Sequence, residues 1–386
     1  MAVDGFDQRL QELLPRIRAR REEIEEGRRL PKDLAADLAN TGVFRLGVPA
    51  ALGGDDGTLM DMMRAFETIA GADGSTGWCS MIGSGGASMA GMLPEAGVKE
   101  VFADPSIPTA SVVPPMQGTA VPTDGGFTIN GKWRFASGIT HVDWVMGGCV
   151  ILYDGAPRMT EMGIPEVTWA FMPVTEIEIH DTWYVNGLRG TGSNDISATN
   201  IFVPAHRTFH LFDPTNHRSD PMVRIPGVSG FTVQVASVAI GIARAALDDL
   251  VELAGGKMPT MSMSSLASKP ATQIEVAQLE GQLGGVRALL YEAAEEIWTT
   301  TVAGDEVSKR TNALARLACV EAARVAAAVA HRVSTIAGGS SLYSSSPIQR
   351  HARDADAITH HFSVAPPVME DAGRVLLGLD PLSPIF

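Results

Sequence analysis

Three tracts in the C-terminal half, residues 231–254, 271–302 and 306–336, constrain the chain most, because each carries an unbroken helical pattern well beyond the usual helix length. Their Ala-rich faces permit close approach of one helix to another. Helices of this length bury their apolar faces only by packing together. They therefore predict a four-helix bundle, with surplus apolar surface left for packing between copies of the chain. Residues 255–270 (GGKMPTMSMSSLASKP) have no periodicity and read as a mobile loop able to lie over a pocket.

Two further regions precede the bundle. Residues 1–114 read as helical: Phe6, Leu10, Leu13, Leu14 and Ile17 recur at helical spacing, Pro31 opens a helix that stops near Gly42, and Thr58 caps another. Residues 115–213 have shorter periods, with frequent Val and aromatic residues and punctuation by Gly and Pro. Residues 142–153, 167–172, 176–180 and 196–203 are strand candidates, and Asn130-Gly131 between two apolar-aromatic runs predicts a tight hairpin turn. With residues 214–386 as the bundle, the expected class is α+β, mostly α: an N-terminal helical domain, a central β-barrel or sandwich, and a C-terminal four-helix bundle.

Charge and cysteine usage narrow the function. The net charge of -14 leaves nothing to offset phosphate repulsion, so nucleic acid is not an expected partner, nor is an anionic membrane. The N-terminus lacks a signal-peptide pattern, and no apolar run approaches the roughly 18 residues of a spanning helix. Cys79, Cys149 and Cys319 share no metal-type spacing and read as reduced thiols of a cytoplasmic protein; no metal is expected. Phosphate-loop and dinucleotide fingerprints are missing, and Gly83-Ser-Gly-Gly86 reads as close helix packing.

Several motifs in order carry a family resemblance. Gly131-Lys-Trp-Arg-Phe-Ala-Ser-Gly138 is followed by His141 and Trp144; Asp181-Thr-Trp183 precedes Gly187-Leu-Arg-Gly-Thr-Gly-Ser193; and Ala337-Gly-Gly339, Pro347, Arg350 and Arg353-Asp354 lead to His360-His361. Together they resemble the two-component flavin-dependent monooxygenases (group D hydroxylases) of the acyl-CoA dehydrogenase superfamily, across essentially the whole chain. The departures are informative as well. The usual Thr-Glu-Pro segment is replaced by Thr109-Ala-Ser-Val-Val-Pro-Pro115, and the position of the dehydrogenases' catalytic Glu is Phe362, which cannot abstract a proton.

The resemblance implies an oxygenase component that takes reduced FMN or FAD from a separate flavin reductase. With O2 it forms a C4a-hydroperoxide and hydroxylates a small, aromatic or phenolic substrate; a homotetramer is also implied. His361 is the implied base, since a histidine titrates near neutrality, with His360 as its rival for the pocket. Ser137 is implied at the flavin N5 edge, and His141 near the pocket. Thr191 and Ser193 offer groups suited to a phosphate or ring edge. Trp133, Trp183 and Phe135 stack on the flavin or fill the β core. Gly338, Gly339 and Arg350 belong to the region that meets the flavin's phosphate end, and Trp78 and Cys79 line the substrate side. An acyl-CoA dehydrogenase with a displaced base and a non-catalytic flavin-binding or scaffold protein remain alternatives on the sequence alone.

Overall fold

The computed structural model describes residues 5–104, 106–112, 117–160, 163–210, 220–383 and 385–386. Six α-helices come first: α1 (Phe6–Ala19), α2 (Arg21–Gly27), α3 (Lys32–Thr41), α4 (Leu59–Ala72), α5 (Gly74–Ser88) and α6 (Glu95–Val101). The five apolar residues picked from the α1 pattern are its buried face. The α4 start is a complete capping box, in which Thr58 accepts from the Asp61 amide and the Asp61 carboxylate accepts from the Thr58 amide. Helix α5 is buried on nearly every side. Its glycines allow this: side chains at Gly83 and Gly86 would overlap Phe44 and Thr109.

Nine strands follow: β1 (Thr109–Val112), β2 (Gly118–Thr123), β3 (Gly126–Ala136), β4 (Trp144–Tyr153), β5 (Ala156–Pro157), β6 (Val167–Pro173), β7 (Glu178–His180), β8 (Asn194–Pro204) and β9 (Thr208–Phe209). They form one mixed sheet in the order β7-β8-β3-β2-β4-β6-β9, with β1 and β5 pairing onto β4. The expected turn at Asn130-Gly131 is not where the hairpin folds. Asp124-Gly125 turns the chain, and Asn130-Gly131 lies inside β3 at a register shift against β8. A turn at 130–131 would separate Ile129 from Trp133, yet both belong to one β core. Gly131 instead makes room for an aromatic ring, since a side chain there, or at Gly118, would occupy the space of Trp133.

The remaining helices are α7 (Pro221–Arg224), α8 (Ser229–Gly256), α9 (Pro270–Ala303), α10 (Lys309–Ala337), α11 (Pro347–Thr359) and α12 (Pro367–Leu376). Helix α8 runs through the centre, against α4, α5, α9, α10 and α11. It is long and apolar enough to cross a bilayer, but most of its surface is inside this core. Truncating one of its fully buried residues, such as Ile240, to alanine would cost roughly 2–5 kcal/mol. Helix α9 buries only one stripe, including Leu279, Leu283, Val286 and Leu290. Its opposite face presents Ile274, Ala277, Gly281, Gly285 and Ala288 to solvent. The 257–269 loop docks through Lys257, whose Nζ donates to the Ala337 carbonyl and the Ser340 hydroxyl.

Candidate active site

A cavity of about 630 Å³ opens where the ends of β3 and β8 meet α5 and α11. Its most constrained wall begins at the end of β3. The pairing of β3 with β8 shifts between Trp133 and Ala136, and Phe135 is held at φ 66°. Such a backbone is costly for a bulky residue, on the order of 1–3 kcal/mol. The distortion leaves the Phe135 ring 57% exposed at the cavity and brings Ser137, only 6% exposed, against α5.

Ser137 belongs to a chain of hydroxyls whose polarity is fully determined. Trp78 Nε1–H can only donate, and it reaches Ser137 Oγ at 3.1 Å. At the other end the Thr191 hydroxyl meets the Leu188 carbonyl, an acceptor only, at 2.9 Å, so Thr191 donates. Thr191 Oγ1 must then accept from Ser193, 2.6 Å away. Ser193 must in turn accept from Ser137, 2.7 Å away. The run is therefore Trp78 → Ser137 → Ser193 → Thr191 → Leu188 C=O, and each hydroxyl proton is committed. All three residues line the cavity, and what their hydroxyls have left to offer is lone pairs.

The loop carrying Thr191 and Ser193 is fixed from far away in sequence. Leu188 is left-handed (φ 52°), and its N–H donates to Asp354 Oδ1 of α11 at 2.6 Å. Burial pushes the Asp354 carboxyl up to about 7 despite that bond. Gly187 passes so close to the Arg353 carbonyl that a side chain there would overlap it. Trp183 Nε1 also donates to the Leu188 carbonyl, at 3.1 Å, and its ring meets the edge of Phe135 at 6.1 Å. Arg353 does not pair with its neighbour Asp354; it bonds Glu25, Gln349 and the Asn186 carbonyl within the same chain.

His361 faces the opposite wall, within 5.4 Å of the Trp78 ring, 5.7 Å of Phe231 and 4.6 Å of Phe362. Its Nδ1 lies 2.8 Å from Ser363 Oγ and accepts the Ser363 N–H at 3.4 Å, so the ring proton sits on Nε2. Burial, with Arg316 nearby, lowers its pKa to about 4, and the ring is neutral at pH 7. His360 lies at the solvent-exposed mouth beside Asp356. Of the two, His361 is the enclosed one.

The structure gathers Trp78, Phe135, Ser137, Thr191, Ser193 and His361 around one cavity. It places other candidates elsewhere. Trp133, expected at the cofactor, is fully buried in the β core and donates to the Gly148 carbonyl at 3.0 Å, because the shift after it turns Phe135 outward instead. Cys79 sits behind Thr191, its Sγ 3.7 Å from the Thr191 carbonyl, rather than on the substrate side. His141 packs under the Gly138 turn with Nδ1 buried and without a partner, and it is not among the cavity residues. Gly338 and Gly339 lie beyond α10, and Arg350 is 5% exposed within the helical layer; none of the three reaches this cavity. Nor does the 255–270 segment. Trp183, one of the three aromatics offered for ring stacking, also lines the cavity, whereas sequence reasoning did not assign Ile82, Gly187, Leu188 and Phe231 to the lining. The glycine spacing of 187–192 was the available signal for the loop; nothing marked Ile82 or Phe231 among their apolar neighbours.

The family of acyl-CoA dehydrogenase N-terminal domains matches residues 9–101, and that of acyl-CoA dehydrogenase C-terminal domains matches residues 233–366. The chain is 32% identical over 381 residues to an indole-3-acetate monooxygenase of Acinetobacter baumannii, covering 98% of this chain and 95% of the relative. It is 31% identical over 361 residues to the flavin-dependent monooxygenase oxygenase subunit HsaA of Rhodococcus jostii, covering 91% and 92%. The crystal structure of 3-HSA hydroxylase from Rhodococcus sp. RHA1 superposes with a TM-score of 0.90 at 28% identity, over 100% of both chains. Fold, domain matches and full-length relatives agree: the chain belongs to the flavin-dependent monooxygenases of the acyl-CoA dehydrogenase superfamily and is an oxygenase component that uses reduced flavin and O2.

Proposed function

We propose that this enzyme hydroxylates a small aromatic substrate, with the flavin edge seated against Ser137, Ser193 and Thr191 and the substrate facing His361. The polarity of the hydroxyl chain carries the reading. An edge of lone pairs fits ring N–H groups. A reduced flavin presents N–H at N5 and N3, whereas an oxidised flavin presents a bare N5. The residues present therefore fit the reduced cofactor, and Phe135 and Trp183 provide aromatic surface beside it. When bound, the reduced flavin supplies the electrons that activate O2.

The protein's own groups do the rest. Trp78, Ile82, Phe231 and Phe362 make a dry wall that keeps bulk water from the reacting centre and suits a flat apolar ring. His361 Nε2–H donates to a substrate oxygen and orients it. A base role at Nε2 needs the other tautomer, in which the Ser363 hydroxyl accepts from Nδ1 and the Ser363 N–H gives up its bond to that nitrogen. Phe362 stands where a dehydrogenase carries its carboxylate, so this wall has no base for desaturation.

The assignment extends to assembly and partners. Names such as oxygenase subunit among the relatives support a separate flavin reductase as electron source. The outward Ala/Gly face of α9 supports close helix packing between copies, and we assign a homotetramer. In that assembly the family resemblance assigns Gly338, Gly339 and Arg350 to the distal end of a neighbour's flavin, and Lys257 lies beside Gly338. Three buried cysteines without disulfides suit the cytoplasm.

Rapid mixing tests the reading. Protein loaded anaerobically with reduced FMN or FAD is mixed with oxygenated buffer, and the return of the oxidised-flavin spectrum is followed. The return should be slower than for free flavin, and should quicken in Ser137→Ala. A return as fast as in free solution would remove the basis for the assignment.

A further inference from the structure

A second, smaller chamber of about 160 Å³ lies beyond the cavity and shares three wall residues with it, Ile82, Phe231 and Phe362. Met89, Met146, Trp169, Phe209 and Met222 also line it, and no charged residue does so among the described residues. An apolar space of roughly 150 Å³ is large enough for one benzene-sized ring. Methionines suit such a wall, being polarisable and able to follow the outline of an aromatic guest.

Two polar side chains, Ser88 and Gln234, line the chamber, and the Ser88 hydroxyl is taken up by the Ser84 carbonyl at 3.0 Å. Gln234 of α8 lines the chamber and is 3% exposed. Its Nε2 donates to the Gly230 carbonyl at 2.9 Å, which fixes the amide's orientation, since a flipped amide would set oxygen against oxygen. Its Oε1 is buried and has no hydrogen-bond partner among the described residues. A buried carbonyl oxygen without a donor is costly, and a guest with an N–H or O–H at that point removes the cost.

We propose that the smaller chamber is a substrate subsite that takes one uncharged, ring-sized aromatic group and reads a single hydrogen-bond donor on it, a ring hydroxyl or N–H, through Gln234 Oε1. The inference rests on the aromatic-hydroxylase reading of the larger cavity. The substrate spans the Ile82–Phe231–Phe362 partition, with its reacting carbon beside His361 and its second ring beside Gln234. Phe362 thus acquires a role as the partition itself. Among the described residues a carboxylate has no counter-ion in the smaller chamber, which favours a neutral group at that end of the substrate.

Calorimetric titration of the flavin-free protein with phenol and with toluene tests this directly, because the two differ chiefly in the donor. In Gln234→Met and Gln234→Leu, phenol should bind at least about tenfold more weakly than to the parent, while toluene binds as tightly or more tightly. Gly85→Leu fills the chamber from α5, where an added Cβ meets only Phe231 Cδ2 at 3.9 Å, and should abolish binding of both. Two results overturn the proposal: an unchanged phenol-to-toluene ratio in whichever Gln234 variant folds, or undiminished binding to Gly85→Leu. The titration involves neither flavin nor O2, so its failure is separate from failure of the hydroxylase reading, which the rapid-mixing experiment reports.

Discussion

The hydroxyl chain makes a prediction that a simple packing role would not. In the parent protein Ser137 shows the cavity a lone pair, because its proton is given to Ser193 at 2.7 Å. Toward the N5–H of a reduced flavin this gains a neutral hydrogen bond, about 1 kcal/mol. Toward the bare N5 of an oxidised flavin it opposes two acceptors, which leaves a buried group unsatisfied at about 1–3 kcal/mol. The sum is at least about 2 kcal/mol, or roughly a 30-fold preference for the reduced cofactor. Ser193→Ala removes the acceptor while Trp78 still donates to Ser137 Oγ, so the Ser137 proton is released toward the cavity. The preference should then collapse toward unity, chiefly through tighter binding of oxidised flavin. Ser137→Ala should lose affinity for reduced flavin and also stability, since it strands the buried Trp78 N–H, by about 1–3 kcal/mol. Anaerobic fluorescence titrations with oxidised and dithionite-reduced FMN and FAD measure the ratio for all three proteins. Equal binding of the two redox states by the parent, or an undiminished preference in Ser193→Ala, would refute the polarity argument.

Other expectations follow from the loop, the titrating groups and the outer helix face. Asp354 has a folded pKa of about 7 against 3.8 in the unfolded chain, so folding takes up a proton between those values, and stability falls as pH rises through that window. Asp354→Asn keeps the acceptor for Leu188 and should be increasingly more stable than the parent from pH 4 to 7, by up to about 4 kcal/mol, in thermal melts. For His361 the sign is opposite: its pKa is lowered to about 4, so its contribution holds above pH 6.5 and is lost as pH falls toward 4. Melts of His361→Phe over that range should be flatter, and parent turnover should show no acid limb at 6.5. Gly187→Ala sets a methyl against the Arg353 carbonyl and should cost at least about 1 kcal/mol along with flavin affinity, read by titration. Gly281→Leu meets nothing within 4 Å in the protomer, so it should leave the fold intact but shift sedimentation away from the proposed tetramer.

What was legible in the sequence was local. Helix tracts, the Thr58 cap and the apolar stripe of α1 depend on spacing within a turn or two, and they stand where spacing puts them. Ser137 was legible through the motif that contains it. Two turn-forming dipeptides, Asp124-Gly125 and Asn130-Gly131, lay six residues apart, and only the shared β core of Ile129 and Trp133 decides between them. The two tryptophans were harder still. Trp133 and Trp183 have similar neighbourhoods in sequence, but the register shift after Trp133 buries it, and the Leu188 carbonyl draws Trp183 to the cavity. That loop is held from 166 residues away by Asp354, and Arg353 reaches Glu25 across 328 residues. Contacts at such separations leave no periodic trace.

The one-way order of the hydroxyls also bears on cofactor traffic. A site that prefers the reduced form raises the midpoint potential of the flavin it holds, by about 30 mV for each tenfold in affinity ratio of a two-electron couple. A 30-fold preference would lift it by about 40 mV above that of free flavin. Reduced flavin arriving from elsewhere is then retained against loss of its electrons until substrate and O2 are in place. Spent flavin, meeting the same lone pairs with the wrong complement, is the form most readily let go. Capture and discharge would both be set by which way one serine hydroxyl points.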